Sequence, residues 1–312
     1  MSELRILPAT RQGVKPLIGL YSESGCGKTM SGLLLARGLV GLSGRIVMID
    51  TESGRGSLYA DVIPGGYDVL ELREPFSPAR YIEAIQSVEK SGAGVGLIDS
   101  GSHEWEGLNG VLDMAAERES KSGKPGLHNW REPKMEHAKF MLKLLQSTLP
   151  WIICLRAKHK TRQAKNAQGR TEIVKEDFTT PIQADDFIFE MTCHGEILQD
   201  HTFRLTKCSH PSLRQCMPNN EMTTIEHGKR LAEWCASPAK PETDPVRELA
   251  RELWGILKSV RGTEQNWNAA NQWLYREEIL DGAMPEEAPR LSIERFRQVI
   301  ALSKDRLQLA PA

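Results

Sequence analysis

Eight consecutive residues, Ser22-Glu-Ser-Gly-Cys-Gly-Lys-Thr29, bring two glycines, an ammonium and a hydroxyl together in one short loop. Gly25 and Gly27 allow backbone N–H groups to turn onto phosphate oxygens where a side chain would block the approach. A brief apolar run, 16–21, precedes the loop, and a helical pattern over 30–40 follows it. That strand–loop–helix context is what a phosphate-binding loop requires, and the helix dipole adds attraction for the anion. Ser22, Glu23, Ser24, Gly25, Cys26, Gly27, Lys28 and Thr29 are therefore the candidate ATP-binding residues. Lys28 is expected to pair with the β- and γ-phosphates, and Thr29 to hold Mg2+ through its hydroxyl. The first motif position is Ser22 rather than glycine, a departure that bears on the tight turn.

Two acids extend this chemistry. Gly94-Val-Gly-Leu-Ile-Asp99 is an apolar strand ending in a carboxylate, the Walker B arrangement. Asp99 is expected to orient the hydration shell of the same Mg2+. No glutamate follows Asp99 directly; instead the second strand ends Ile49-Asp50-Thr51-Glu52. A carboxylate on a strand beside the phosphate-loop strand can reach a water attacking the γ-phosphate, which brings Glu52 forward. Glu104, a little beyond Asp99, is its competitor. His103 reads as a turn histidine or as a relay of nucleotide state.

These residues need elements to hold them. Apolar runs at 16–21, 45–50, 94–99 and 151–155 read as buried strands. Helical patterns lie between them at 30–40, from Ser77-Pro78 to about Glu89, and with polar insertions over 104–147. The alternation predicts an α/β fold with a mostly parallel sheet flanked by helices. Shorter strands are expected at 187–191 and 201–207, linked as a hairpin, and a closing helix at 225–235. Residues 1–236 then form the ATP-binding core, and 237–245 a proline-rich linker. Residues 246–312 form a small helical C-terminal domain, in which Trp254, Trp267 and Trp273 read as bundle core.

The motif set resembles the RecA/RadA recombinase superfamily, whose second strand ends in a similar Asp-x-Glu and whose third ends in Asp-Ser, here Asp99-Ser100. Within it the chain is similar to phage-encoded RecA-like ATPases, in particular the Sak-four group of single-strand annealing proteins, over roughly residues 15–235. The resemblance implies that Glu52 is the general base and Lys28 a catalytic partner. It implies that the segment after the fourth strand acts as a DNA-binding loop. That segment carries seven Lys/Arg against one Glu between Arg156 and Lys175. Arg156, Lys158, Lys160, Arg162, Lys165 and Arg170 are its candidate phosphate contacts. A flexible loop and a solvated hairpin are both open readings of it, and 156–170 holds no aromatic residue for base stacking. The resemblance further implies a homo-oligomer, ring or filament, acting on single-stranded DNA in phage recombination beside a host single-strand-binding protein. Arg204 and Lys207 on a late strand are candidates for a basic residue offered to a neighbouring subunit's γ-phosphate.

Bulk composition sets limits. Net charge is −1, so nucleic-acid contact has to come from a local patch. Six scattered cysteines with no CxxC pair argue against a zinc site, and one inside the phosphate loop argues for a reducing compartment. No apolar leader or membrane-length run is present, so a cytoplasmic protein is expected, in the host cell if phage-encoded. A second class of function stays open: a nucleotide-gated assembly or helicase-loading factor that acts through protein partners. A small-molecule kinase ranks below both, because no separate acceptor-binding signature is present.

Overall fold

The computed structural model describes residues 13–165 and 171–237, together with 252, 297, 298, 300 and 301. Its elements run β1 (Leu17–Ser22), α1 (Lys28–Val40), β2 (Ile46–Asp50), β3 (Asp68–Glu71), α2 (Pro78–Lys90) and β4 (Val95–Asp99). Three helices follow, α3 (Ser102–Glu106), α4 (Val111–Ser122) and α5 (Arg131–Leu145). Then come β5 (Trp151–Lys165), β6 (Thr171–Pro181), α6 (Phe187–Glu190), β7 (Cys193–Ile197), β8 (Thr202–Cys208), β9 (Glu221–Met222) and α7 (Ile225–Ala236).

Among the described residues the strands form one sheet in the order β3-β2-β4-β5-β1-β7-β8-β9, with β6 paired to β5. The six strands from β3 to β7 are parallel to their neighbours. The β7–β8, β8–β9 and β5–β6 pairs are antiparallel. The central strands are apolar without interruption because both faces of the sheet are covered. On one face Leu17, Tyr21, Val47, Ile49, Ile98, Trp151 and Ile153 pack against Tyr81, Ile85 and Val88 of α2 and Phe140 and Leu144 of α5. On the other, Ile18, Leu20, Ile46, Met48, Leu97 and Ile152 meet Leu33, Leu35 and Ala36 of α1 and Leu231 of α7. Helices α1 and α7 approach backbone to backbone. A Cβ on Gly38 would lie 2.1 Å from the Ile225 carbonyl oxygen and 2.5 Å from the Gly228 Cα.

Five expectations are corrected. In the expected strand at 187–191, Phe187–Glu190 form a single helical turn instead. Their alternating Phe187 and Phe189, one buried and one exposed, imitate strand periodicity. The Lys207 ammonium donates to the Ile188 and Phe189 carbonyl oxygens at the end of that turn. The hairpin partner of β8 is β7 instead. Strand β3 adds to the strands expected; it carries little apolar signal, because at the sheet's edge only its middle residues, Val69 and Leu70, are partly buried. The helical stretch over 104–147 is cut into three by Gly107–Gly110 and by Gly123–Gly126. The fourth expected strand runs past Leu155 as far as Lys165.

The chain divides into two compact units, one of which, Arg11–Pro238, holds the whole sheet. The expected linker at 237–245, beyond its first residue, and the helices expected after it lie outside the described residues, apart from the five isolated positions above. Among the described residues no helix is long and apolar enough to cross a membrane.

Candidate active site

The register of the parallel strands sets the site. Ser22 on β1 lies beside Arg156 on β5, Asp99 on β4 beside Cys154 on β5, and Asp50 on β2 beside Asp99. The carboxyl ends of four strands therefore share one edge of the sheet. The expectation that the Asp-Thr-Glu strand lies next to the phosphate-loop strand is overturned. Strands β5 and β4 separate β2 from β1. Glu52 reaches the site because it lies beyond the strand end, in the turn that follows β2.

Ser22 is the buried last residue of β1, and its Oγ donates to the Glu23 carbonyl oxygen at 2.9 Å. Its extended conformation shows that no glycine is needed there. Gly25 and Gly27 have φ of 87° and 93°, the left-handed region that a side chain would strain. Gly27 caps α1, and no acid sits in that helix's first turn. The unpaired N–H groups at this helix start are available to an anion. A contact with no counterpart in the sequence pattern holds the loop from behind: His201 Nδ1 donates to the Cys26 carbonyl oxygen at 2.8 Å.

Thr29 Oγ1 donates to Asp99 Oδ2 at 2.5 Å, bridging β5 from helix start to strand end. The other carboxylate oxygen, Asp99 Oδ1, is buried and has no partner. Burial pushes the Asp99 carboxyl up to about 6, with Glu52 and Asp50 adding repulsion and with Lys28 and Thr29 opposing it. An orphaned, nearly inaccessible carboxylate oxygen beside a threonine hydroxyl fits a Mg2+ held partly through water and phosphate oxygens. The described residues contain no group of three or more His, Cys, Asp or Glu side chains that could hold a metal ion.

The two acids that end the second strand differ in role. Asp50 is consumed by the turn: its carboxylate accepts from the N–H groups of Glu52, Gly54 and Gly56 at 2.7, 2.9 and 3.0 Å. Glu52 faces the site, mostly covered, with Arg156 Nε 3.5 Å from its Oε1. Arg156 also lies 3.4 Å from His103 Nε2, and His103 Nδ1 lies 2.8 Å from Thr51 Oγ1. Burial holds the His103 imidazole below its ordinary range, which keeps it neutral near pH 7. Glu104 points the other way. It is fully buried, with His137 Nδ1 at 3.0 Å and Gln183 Nε2 at 3.2 Å.

The basic segment is a two-stranded arm rather than a flexible loop. Strand β5 continues past the sheet edge and pairs antiparallel with β6 from Ala157–Pro181 out to Lys165–Thr171, with a bulge near Lys160. Lys158, Lys160 and Lys165 are exposed. Arg162 pairs with Glu176 at 2.7 Å, and Arg156 belongs to the Glu52 group rather than to the outer arm. Arg170 lies outside the described residues. The arm's base touches the phosphate loop, where His159 Nε2 lies 3.2 Å from Glu23 Oε1. Ile173, inside the basic run, and Phe178, beyond it, are both exposed on β6. Arg204 pairs with Glu196 of its own chain, and Lys207 with the α6 carbonyls, so both are engaged within the subunit. On α5, Lys139 pairs with Glu136, Lys143 with Glu89, and His137 is buried against Glu104.

A family model described as an AAA domain matches residues 15–192, a span that takes in the loop, both acids and the arm. No curated protein matches the chain.

Proposed function

The chain belongs to the AAA domain family, a finding that supports a P-loop nucleotide-binding ATPase, and we propose that it hydrolyses Mg-ATP under the control of single-stranded DNA held on the β5–β6 arm. The observation that carries this reading is the shared strand edge. The loop Ser22–Thr29, the Thr29–Asp99 pair and Glu52 converge there, and the arm grows from the strand between them.

In this reading the loop's backbone N–H groups and Lys28 hold the β- and γ-phosphates. Thr29 and Asp99 position the metal, which when bound neutralises developing phosphate charge. Glu52 orients the attacking water and takes its proton, a role worth roughly 10²–10⁴ in rate. Arg156, which contacts the Glu52 carboxylate, is a positioning residue. Asp50 keeps the turn that presents Glu52. Glu104 supports α3 from inside the fold and is not proposed as the base.

Lys158, Lys160, Arg162 and Lys165, with Arg170, are proposed to bind the DNA backbone, and the His159–Glu23 contact ties that event to the phosphate loop. The likeness to annealing proteins of the RecA-like phage group supports homo-oligomers on single-stranded DNA, annealing in recombination, and work beside a single-strand-binding protein. A second reading, an assembly or helicase-loading ATPase, draws on the exposed Phe178 and Ile173, which suit a protein partner. ATPase rate measured with and without single-stranded DNA separates the two. Stimulation is expected; a protein that neither binds DNA nor responds to it overturns the DNA reading.

A further inference from the structure

We propose that Cys193 and Cys208 form a reversible redox site, a cross-strand thiol pair that closes to a disulfide on exposure to a peroxide. The inference does not depend on the nucleotide assignment. Cys193 opens β7 and Cys208 ends β8, and the two are register partners. Their sulfurs lie 3.7 Å apart. In the adjacent pair, the Ser209 N–H donates to the Thr192 carbonyl oxygen at 2.9 Å, so 193 and 208 form a pair without backbone hydrogen bonds. In such pairs opposed Cα atoms approach to about 4.5 Å. Disulfides accept Cα separations of about 4.4–6.8 Å, so side-chain rotation suffices to close the bond.

The two thiols have different roles. Cys193 is buried, and burial together with the neighbouring Cys208 raises its thiol well above the ordinary range, which makes it a slow first nucleophile. Cys208 is only partly buried and meets the oxidant first. Its thiolate attacks one peroxide oxygen, the O–O bond breaks, and a sulfenic acid forms while hydroxide leaves and becomes water. The Cys193 sulfur then attacks the Cys208 sulfur, the S–O bond breaks, and a second water leaves with the Cys193 proton. Two thiols and one hydrogen peroxide thus give one disulfide and two waters. The closed loop includes the β7–β8 turn, from which His201 holds the phosphate loop at Cys26. The bond would staple that hairpin and restrict the unfolded chain.

The test uses the full chain, reduced, treated with stoichiometric hydrogen peroxide while folded, then alkylated after denaturation and mapped by mass spectrometry. The expected product has lost two hydrogen atoms, links the Cys193 and Cys208 peptides, reverts with dithiothreitol and melts at a higher temperature than the reduced chain. A Cys216→Ser/Cys235→Ser variant should still form it. A Cys208→Ser variant should not, and peroxide should leave its melting temperature unchanged. Full alkylation of both thiols after peroxide overturns the proposal, as does a bond joining Cys208 to any other cysteine.

Discussion

Replacing Asp99 by asparagine should make the nucleotide-free protein more stable at neutral pH while disabling its metal site. The Asp99 side chain is buried, and its carboxyl titrates at about 6 instead of 3.8, chiefly because burial penalises its charge. The sign follows from that elevation. The folded state holds the Asp99 proton more tightly than the unfolded chain, so the group favours folding at low pH. That advantage is lost as pH rises through about 6. The interval from 3.8 to about 6 corresponds to about 3 kcal/mol of ionisation cost carried by the wild type at neutral pH. Asparagine keeps an acceptor for the Thr29 hydroxyl and carries no such cost. The advantage of Asp99→Asn over wild type should therefore grow by about 1.4 kcal/mol between about pH 5 and pH 8, or roughly 3–6 °C in melting temperature. Thermal unfolding of both proteins without nucleotide across that range is the assay. Mg-ATP should then stabilise the wild type and leave the variant nearly unmoved. A pH-independent difference, or a variant less stable than wild type at pH 8, refutes the reasoning.

The two candidate bases separate by a paired substitution. Glu52→Gln should bind ATP and lose roughly 10²–10⁴ in hydrolysis rate. Glu104→Gln should hydrolyse within a few-fold of wild type but unfold more easily, by about 1–3 kcal/mol, because its carboxylate is shared by His137 and Gln183. The reverse pattern in single-turnover assays and melts would make Glu104 the base. Neutralising Lys158, Lys160 and Arg162 together should weaken single-stranded DNA binding and flatten its salt dependence by about 2 in log–log slope, at about 0.7 per lost phosphate contact. An unchanged slope in fluorescence-anisotropy titrations would place the DNA elsewhere.

The parts of the site that are local in sequence are legible from the residues alone. The phosphate loop and Asp99 sit in short stretches whose residue types leave little choice of chemistry. Glu52 is legible as a residue but not in its place. Strand order is non-local, and β5, the last of the four strands to appear in the chain, inserts between β1 and β4. The arm resembles a loop in sequence because the outer part of its first strand alternates the charges at 156, 158, 160 and 162 with His159, Thr161 and Gln163, so it lacks the apolar face that marks a half-buried strand. The signal lies downstream, in Ile173, Val174 and Phe178. The contacts of His201 with Cys26 and of His159 with Glu23 join residues more than a hundred positions apart, and no local pattern announces them. The inward turn of Glu104 is likewise hidden, since α5 and the chain after β6 supply its partners His137 and Gln183.

Calorimetric titration of Mg-ATP into the wild type and a Lys28→Ala variant, each first shown to be folded, tests the nucleotide site most directly. Saturable one-to-one binding by the wild type, and no measurable heat of binding for the variant, is the predicted result. Equal affinity in both proteins would mean that the triphosphate does not sit in the Ser22–Thr29 loop.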